Sequence, residues 1–283
     1  MSEIAYDGYT ESGFPPGLYE AADTAPGISG FCSFTQDHVT QFKVDGYLLV
    51  REALDSKALV AVRAGLMHLI SGKAEGFRGI QYEKSVRGRL DELSDEERVA
   101  SVRKLQYFVG HDDRLTNLAE DESLLRVLKA IIGETPGLFA NQAMVKPARI
   151  GREKPWHQDH AYFDLPIGTQ IVSAWVSLDH ATRENGCMHV IPGSHLGGPL
   201  IHFQVRDWQI CDDHVARGRA VAVEMNPGDI LLWDGLLHHG TPPNLSDRGR
   251  RALQLHYWPA SVEKIPKEER LTVFGSEGKD VTC

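Results

Sequence analysis

Residues 55–72, DSKALVAVRAGLMHLISG, carry apolar side chains three and four positions apart, the spacing that lays one helical stripe against a core. Asp55 or Ser56 stands where this helix would start, and Gly72 stands where it would stop. The same reading predicts a short helix over 35–46, TQDHVTQFKVDG, capped by Thr35 and ending near Gly46. YLLVREAL then reads as a strand, and DESLLRVLKAIIGE as a second amphipathic helix closing at Gly133. From about 138 the period changes. FANQAMVKP, KPWHQDHAYF, TQIVSAWVSLDHA, CMHVIPGSH, RAVAVEM, DILLWDG and RRALQLHYWP are short strand-like runs divided by Gly, Pro, Asn and Asp. So many short strands point to a β-sandwich or jelly roll with the earlier helices packed outside it. The expected organisation is an irregular arm over 1–34, then one domain over 35–283: a helical part to about 137, a jelly-roll core over 138–260 and a tail over 261–283. Polar residues 73–103 read as a mobile connection or lid.

Charge narrows the partners. A net charge of −9 and a pI near 5.8 argue against general nucleic-acid binding or attachment to a membrane surface. No apolar run approaches the ~18 residues of a membrane span. The acidic N-terminus lacks the apolar stretch of a signal peptide, so a cytoplasmic protein is expected. The cysteines at 32, 187, 211 and 283 have no paired spacing and are expected to be reduced.

The chemistry begins at WHQDHAYF, residues 156–163. In a strand His157 and Asp159 share a face, which makes two ligands of a metal site. A second histidine cluster, LLHHGTPPNLSDRGRRALQLHYW, offers His238 or His239 as a third ligand about 80 residues on. Two histidines and a carboxylate form the facial triad of non-haem Fe(II) oxygenases, which leaves coordination positions open. In RRALQLHY, alternation puts Arg250, Ala252, Gln254 and His256 on one face and Arg251, Leu253, Leu255 and Tyr257 on the other. The second set suits packing under a helix. The first suits a cavity, where the planar fork of Arg250 would take a carboxylate.

WHQD, ENGCMHVIPGSH and HHGTPPNLSDRGRRAL, in this order and spacing, resemble the phytanoyl-CoA dioxygenase family of Fe(II)/2-oxoglutarate-dependent oxygenases, over roughly residues 35–260. The resemblance implies a double-stranded β-helix core, with His157, Asp159 and His239 as iron ligands. It selects His239 because the family's distal histidine stands eleven positions before the arginine that grips 2-oxoglutarate, here Arg250. Lys104, Met144 and Trp175 resemble further positions of the 2-oxoglutarate pocket, with Gln142 beside them, and Thr241 stands where serine is common. The implied cosubstrates are 2-oxoglutarate and O2, and the implied reaction is hydroxylation of a small molecule with release of succinate and CO2. Halogenases of this type lack the carboxylate ligand, which Asp159 supplies here.

Two other classes remain open at this point: a catalytically silent 2-oxoglutarate- and metal-binding module, and a divalent-metal hydrolase using the same triad. His160, Tyr162, Asp164 and His189 are candidate substrate neighbours, and the basic stretch around Arg78, Lys84, Arg87 and Arg89 is either a solvated face or a contact for an acyl-CoA ester. The substrate and the oligomeric state are not legible.

Overall fold

The computed structural model describes residues 13–276 and Cys283, so residues 1–12 of the arm, residues 277–282 of the tail and the side chains of Lys84 and Ser85 lie outside the described residues. The helices are α1 (Gln36–Asp45), α2 (Ser56–Ile70), α3 (Asp95–Ala100), α4 (Asp113–Ala119), α5 (Glu122–Ile132) and α6 (Lys267–Phe274). Their ends follow the sequence. Thr35 and His38 form a capping box on α1, the Asp55 carboxylate accepts from the Ala58 N–H on α2, and Gly46 and Gly133 end α1 and α5 in the left-handed conformation.

The strands in chain order are β1 (Asp23–Thr24), β2 (Ile28–Ser29), β3 (Tyr47–Arg51), β4 (Ile80–Tyr82), β5 (Val102–Gln106), β6 (Pro136–Lys146), β7 (Lys154–His157) and β8 (Val172–Ser177). They continue with β9 (Met188–Val190), β10 (His202–Gln204), β11 (Trp208–Ile210), β12 (Val221–Val223), β13 (Ile230–Asp234), β14 (His239–Thr241) and β15 (Arg250–Pro259). The larger sheet has the order β2-β3-β13-β8-β15-β6-β5-β4, and the smaller has β1-β12-β9-β14-β7. This is the jelly roll that the strand density predicts.

Alternation along each strand builds two cores. On the outer face of the larger sheet, Leu253, Leu255 and Tyr257 of β15, Val172, Ala174 and Val176 of β8, and Leu232 of β13 pack under Leu66 and Leu69 of α2 and Leu124, Val127 and Leu128 of α5. Burying each such side chain contributes about 1.5–3 kcal/mol. The inner face sends Trp175, Leu231, Trp233 and Ala252 against Met188, Val190 and Ala222 of the smaller sheet. Arg250 is 2% exposed on that inner face, whereas Arg251 is half-buried on the outer face and paired with Asp179 at 2.8 Å. The register of β15 is therefore the expected one.

Two expectations are corrected. Residues 73–103 are not a bare connection: they hold β4 and α3 and lead into β5, which pairs with the edge of β6. VRKLQ hides this strand because only Val102 and Leu105 are buried, three apart, with charged residues between them. The four cysteines are also not all reduced, since Cys211 and Cys283 form a disulfide. They lie 72 residues apart, with no local spacing to betray them. The α6 helix brings them together: Phe274 packs against His160 and His202, carrying the tail to the segment that ends at Cys211.

Cys32 is exposed, while Cys187 is buried with its thiol pushed up to about 12 by desolvation. Titrating the unreduced native protein with a thiol reagent should therefore detect one fast group, lost in Cys32→Ser, and a second only on unfolding. Three or four fast thiols would contradict the 211–283 pairing.

Candidate metal centre

His157 ends β7, Gln158 continues extended, and Asp159 opens a 3-10 turn, so the two side chains emerge on one side as strand alternation requires. His239 opens β14 and is the direct cross-strand partner of His157, which is how two residues far apart in the chain place their rings 4.1 Å from each other. The Nδ1 of His157 lies 2.8 Å from the Pro155 carbonyl, and that of His239 lies 2.9 Å from the Leu237 carbonyl. A carbonyl only accepts, so both Nδ1 atoms carry the proton and both Nε2 lone pairs face inward. They converge on Asp159 Oδ1, at 3.5 and 3.4 Å. His238, the alternative third ligand, sits outside this cluster.

The other carboxylate oxygen of Asp159 is held from the opposite sheet. Ser173 Oγ at 2.9 Å, Trp233 Nε1 at 3.0 Å and Gln254 Nε2 at 3.3 Å all donate to Oδ2. Burial would raise this carboxyl, but the two histidines beside it hold it well below the usual range. Burial, with the His239 ring alongside, lowers His157 to about 4, so it is a neutral base at pH 7. Two neutral nitrogens and one carboxylate oxygen, all buried and within 4.8 Å of one another, could hold a metal ion.

The remaining expected residues share the inner face of the larger sheet. Lys104 faces Met144 across β5 and β6, Met144 faces Ala252, and Trp175 faces Gln254. Gln142 reaches Asp159 only through Gln254, to which it donates at 2.7 Å. The Arg250 guanidinium lies 5.3 Å over the Trp175 ring, and its Nε and Nη1 are buried with no hydrogen-bond partner among the described residues. Burial lowers it to about 10. Its cross-strand partner is a second buried cation, Lys146, whose ammonium donates to Thr241 Oγ1 at 2.9 Å and to the Pro242 carbonyl. Burial and the neighbouring Arg250 push Lys146 well below the usual lysine range. Gly186, with φ +77, makes room for it: a Cβ there would stand 3.1 Å from Nζ. Two buried cations, neither paired with an acid among the described residues, suit an anion such as a carboxylate.

Sequence reading missed Lys146, Ser173 and Trp233. Each was available by alternation, since Lys146 is in phase with Met144, Ser173 with Trp175, and Trp233 with Leu231. Of the candidate substrate neighbours, Tyr162 stays at the site, edge-on to His157 at 5.6 Å. His160 packs on Phe274, Asp164 pairs with Arg270 at 2.7 Å, and the His189 ring meets Tyr19.

Known proteins resemble this chain. The family model for phytanoyl-CoA dioxygenase (PhyH) matches residues 42–252. A probable phytanoyl-CoA dioxygenase of Caenorhabditis elegans is 28% identical over 230 residues, covering 76% of this chain and 72% of the relative. Among solved structures, EctD from S. alaskensis with bound Fe is 22% identical, covers 87% of this chain and 83% of that one, and superposes with a TM-score of 0.66. EvdO2 from Micromonospora carbonacea var. aurantiaca, complexed with 2-oxoglutarate, is 23% identical, covers 86% and 97%, and gives 0.64. The last two likenesses bear on the fold.

The three donors to Asp159 Oδ2 should control metal affinity. Ser173→Ala or Trp233→Phe should each weaken divalent-metal binding about tenfold, read by competition with a chromophoric chelator. Unchanged affinity in both would mean that the carboxylate is oriented by other groups.

Proposed function

The chain belongs to the phytanoyl-CoA dioxygenase family, whose members are Fe(II)- and 2-oxoglutarate-dependent dioxygenases, and from that premise we propose that it hydroxylates an unactivated C–H bond of a small organic molecule, releasing succinate and CO2. The observation that carries the reading is the Arg250 guanidinium, buried and unpartnered among the described residues, on the sheet that also holds Asp159 in place.

In this reading His157, Asp159 and His239 hold Fe(II) through Nε2, Oδ1 and Nε2. When bound, iron supplies O2 activation coupled to oxidative decarboxylation of 2-oxoglutarate. Arg250, its guanidinium over the Trp175 ring, takes the distal carboxylate of the cosubstrate, and Lys146 and Thr241 complete that end of the site. Met144 lies beside Lys104 as an apolar wall, and Lys104 offers a cation near the triad. Gln142 orients Gln254, and through it Asp159. No side chain is required to remove a proton from carbon.

The protein is read as acting on a small molecule, without nucleic acid or membrane. No helix among the described residues is long and apolar enough to cross a membrane. We place it in the cytoplasm, although the Cys211–Cys283 bond is of a kind rare in reducing compartments.

The test is substrate-dependent succinate release. It should require Fe(II), 2-oxoglutarate and O2 and vanish in Asp159→Ala. A protein that binds 2-oxoglutarate without consuming it would be a binding module, and turnover without O2 would mark a hydrolase. Arg250→Ala should raise the 2-oxoglutarate concentration needed by tenfold or more, as expected when one partner of a buried charged pair is removed. Arg251→Ala, which breaks only the half-exposed pair with Asp179, should change it less than about twofold.

Burial and the neighbouring Lys154 lower Lys104 to about 8. Its ammonium is present below that pH and lost above it, so affinity for the dicarboxylate should fall as pH rises through about 8. Lys104→Gln should flatten this limb, and an unchanged limb in the variant would assign it to another group.

A further inference from the structure

Arg250 stands at one end of the inner face of β15 and His256 and Trp258 at the other, with Gln254, which touches Asp159, between them. At about 3.3 Å per residue, Arg250 and His256 are about 20 Å apart along the strand. If 2-oxoglutarate extends from the triad toward Arg250, the substrate must approach from the His256 side.

The hydrogen bonds around His256 fix what that side offers. Asp159 is a carboxylate and only accepts, so the Ser173 hydroxyl, 2.9 Å from Oδ2, points its single proton there. His256 Nδ1 lies 2.8 Å from the same hydroxyl oxygen and must therefore be the donor. A doubly protonated ring would leave a charged Nε2–H buried among aromatic rings with no acceptor among the described residues, so the imidazole is neutral. A neutral ring protonated on Nδ1 leaves Nε2 as a bare acceptor. That atom is buried with no hydrogen-bond partner among the described residues. Around it Phe163 stands edge-on at 4.9 Å and Phe139 lies at 6.0 Å, itself stacked on Trp258 at 4.7 Å. These three rings are half-buried, so they form an apolar wall reachable from outside.

We propose that His256 recognises the substrate: its Nε2 accepts a hydrogen bond from a hydroxyl or amide N–H on a molecule whose apolar part lies against Phe139, Phe163 and Trp258. The proposal rests on the dioxygenase reading, which puts the cosubstrate at the Arg250 end. A carboxylate would set lone pair against lone pair, and an ammonium would meet the charge of Lys104. A site built to bond one polar group rejects analogues that cannot supply it. Nε2 is buried, so the side chains over it must turn aside as the donor enters.

The test uses the protein loaded with Fe(II) and 2-oxoglutarate under argon, titrated calorimetrically with cyclohexylmethanol and with cyclohexanecarboxylate, probes of nearly equal shape. The alcohol should bind at least tenfold more tightly. His256→Asn keeps an amide N–H for Ser173 but removes Nε2. It should bring the two probes within about threefold while 2-oxoglutarate binding stays within threefold of wild type. Equal binding, binding of neither probe, or a preference that survives in the Asn variant would overturn the proposal. Loss of 2-oxoglutarate binding in the variant would overturn it too, assigning His256 to holding Asp159. Failure of the wild-type protein to bind 2-oxoglutarate would remove the dioxygenase reading itself.

Discussion

One carboxylate joins the two halves of this molecule. Asp159 leaves the smaller sheet at the end of β7, turns Oδ1 toward two histidines of that sheet, and gives Oδ2 to three donors of the larger one. A buried carboxylate without partners would cost several kcal/mol. The two sheets must therefore stack in the register that brings Ser173, Trp233 and Gln254 to one point. The same stacking fixes which oxygen is free for a metal. Tight inner packing of Trp175, Trp233 and Leu231 against the smaller sheet is what makes this register stiff.

The second constraint is electrostatic. Arg250 and Lys146 are neighbours across two strands, both buried, with Thr241 and a backbone carbonyl as the neutral partners of the lysine. Folding leaves this pair poorly compensated, and an anion relieves it. Under the proposed function, binding energy for a dicarboxylate would be stored in the fold as desolvated positive charge. Uncompensated cations at one end of β15 and His256, beside Asp159, at the other lie on the same inner face by the same alternation.

Much of this was readable in the chain. The caps at Thr35, Asp55, Gly46 and Gly133 are local, and each behaves as its chemistry dictates. The faces of β15 followed from strict alternation in RRALQLHY. The choice between His238 and His239 did not: alternation alone left it open, the family spacing selected His239, and the cross-strand pairing with His157 accounts for it physically. What stayed hidden was non-local or weakly patterned. The β5 strand buries two residues among charges, the Cys211–Cys283 bond depends on where α6 docks, and the supports of Asp159 come from three strands that no single motif contains. Lys146 carried no signal of its own, because an isolated lysine is normally exposed.

The most direct measurement is an anaerobic titration of the Fe(II)-loaded protein with 2-oxoglutarate, followed by the weak visible absorption of the iron–2-oxoglutarate chelate. The account predicts a band that saturates at about one equivalent in the wild-type protein and is lost at the same concentrations in Arg250→Ala, because the buried guanidinium supplies a two-pronged ionic partner that the single ammonium of Lys146 does not replace. Iron bound with no band, or a band indifferent to Arg250, would contradict it.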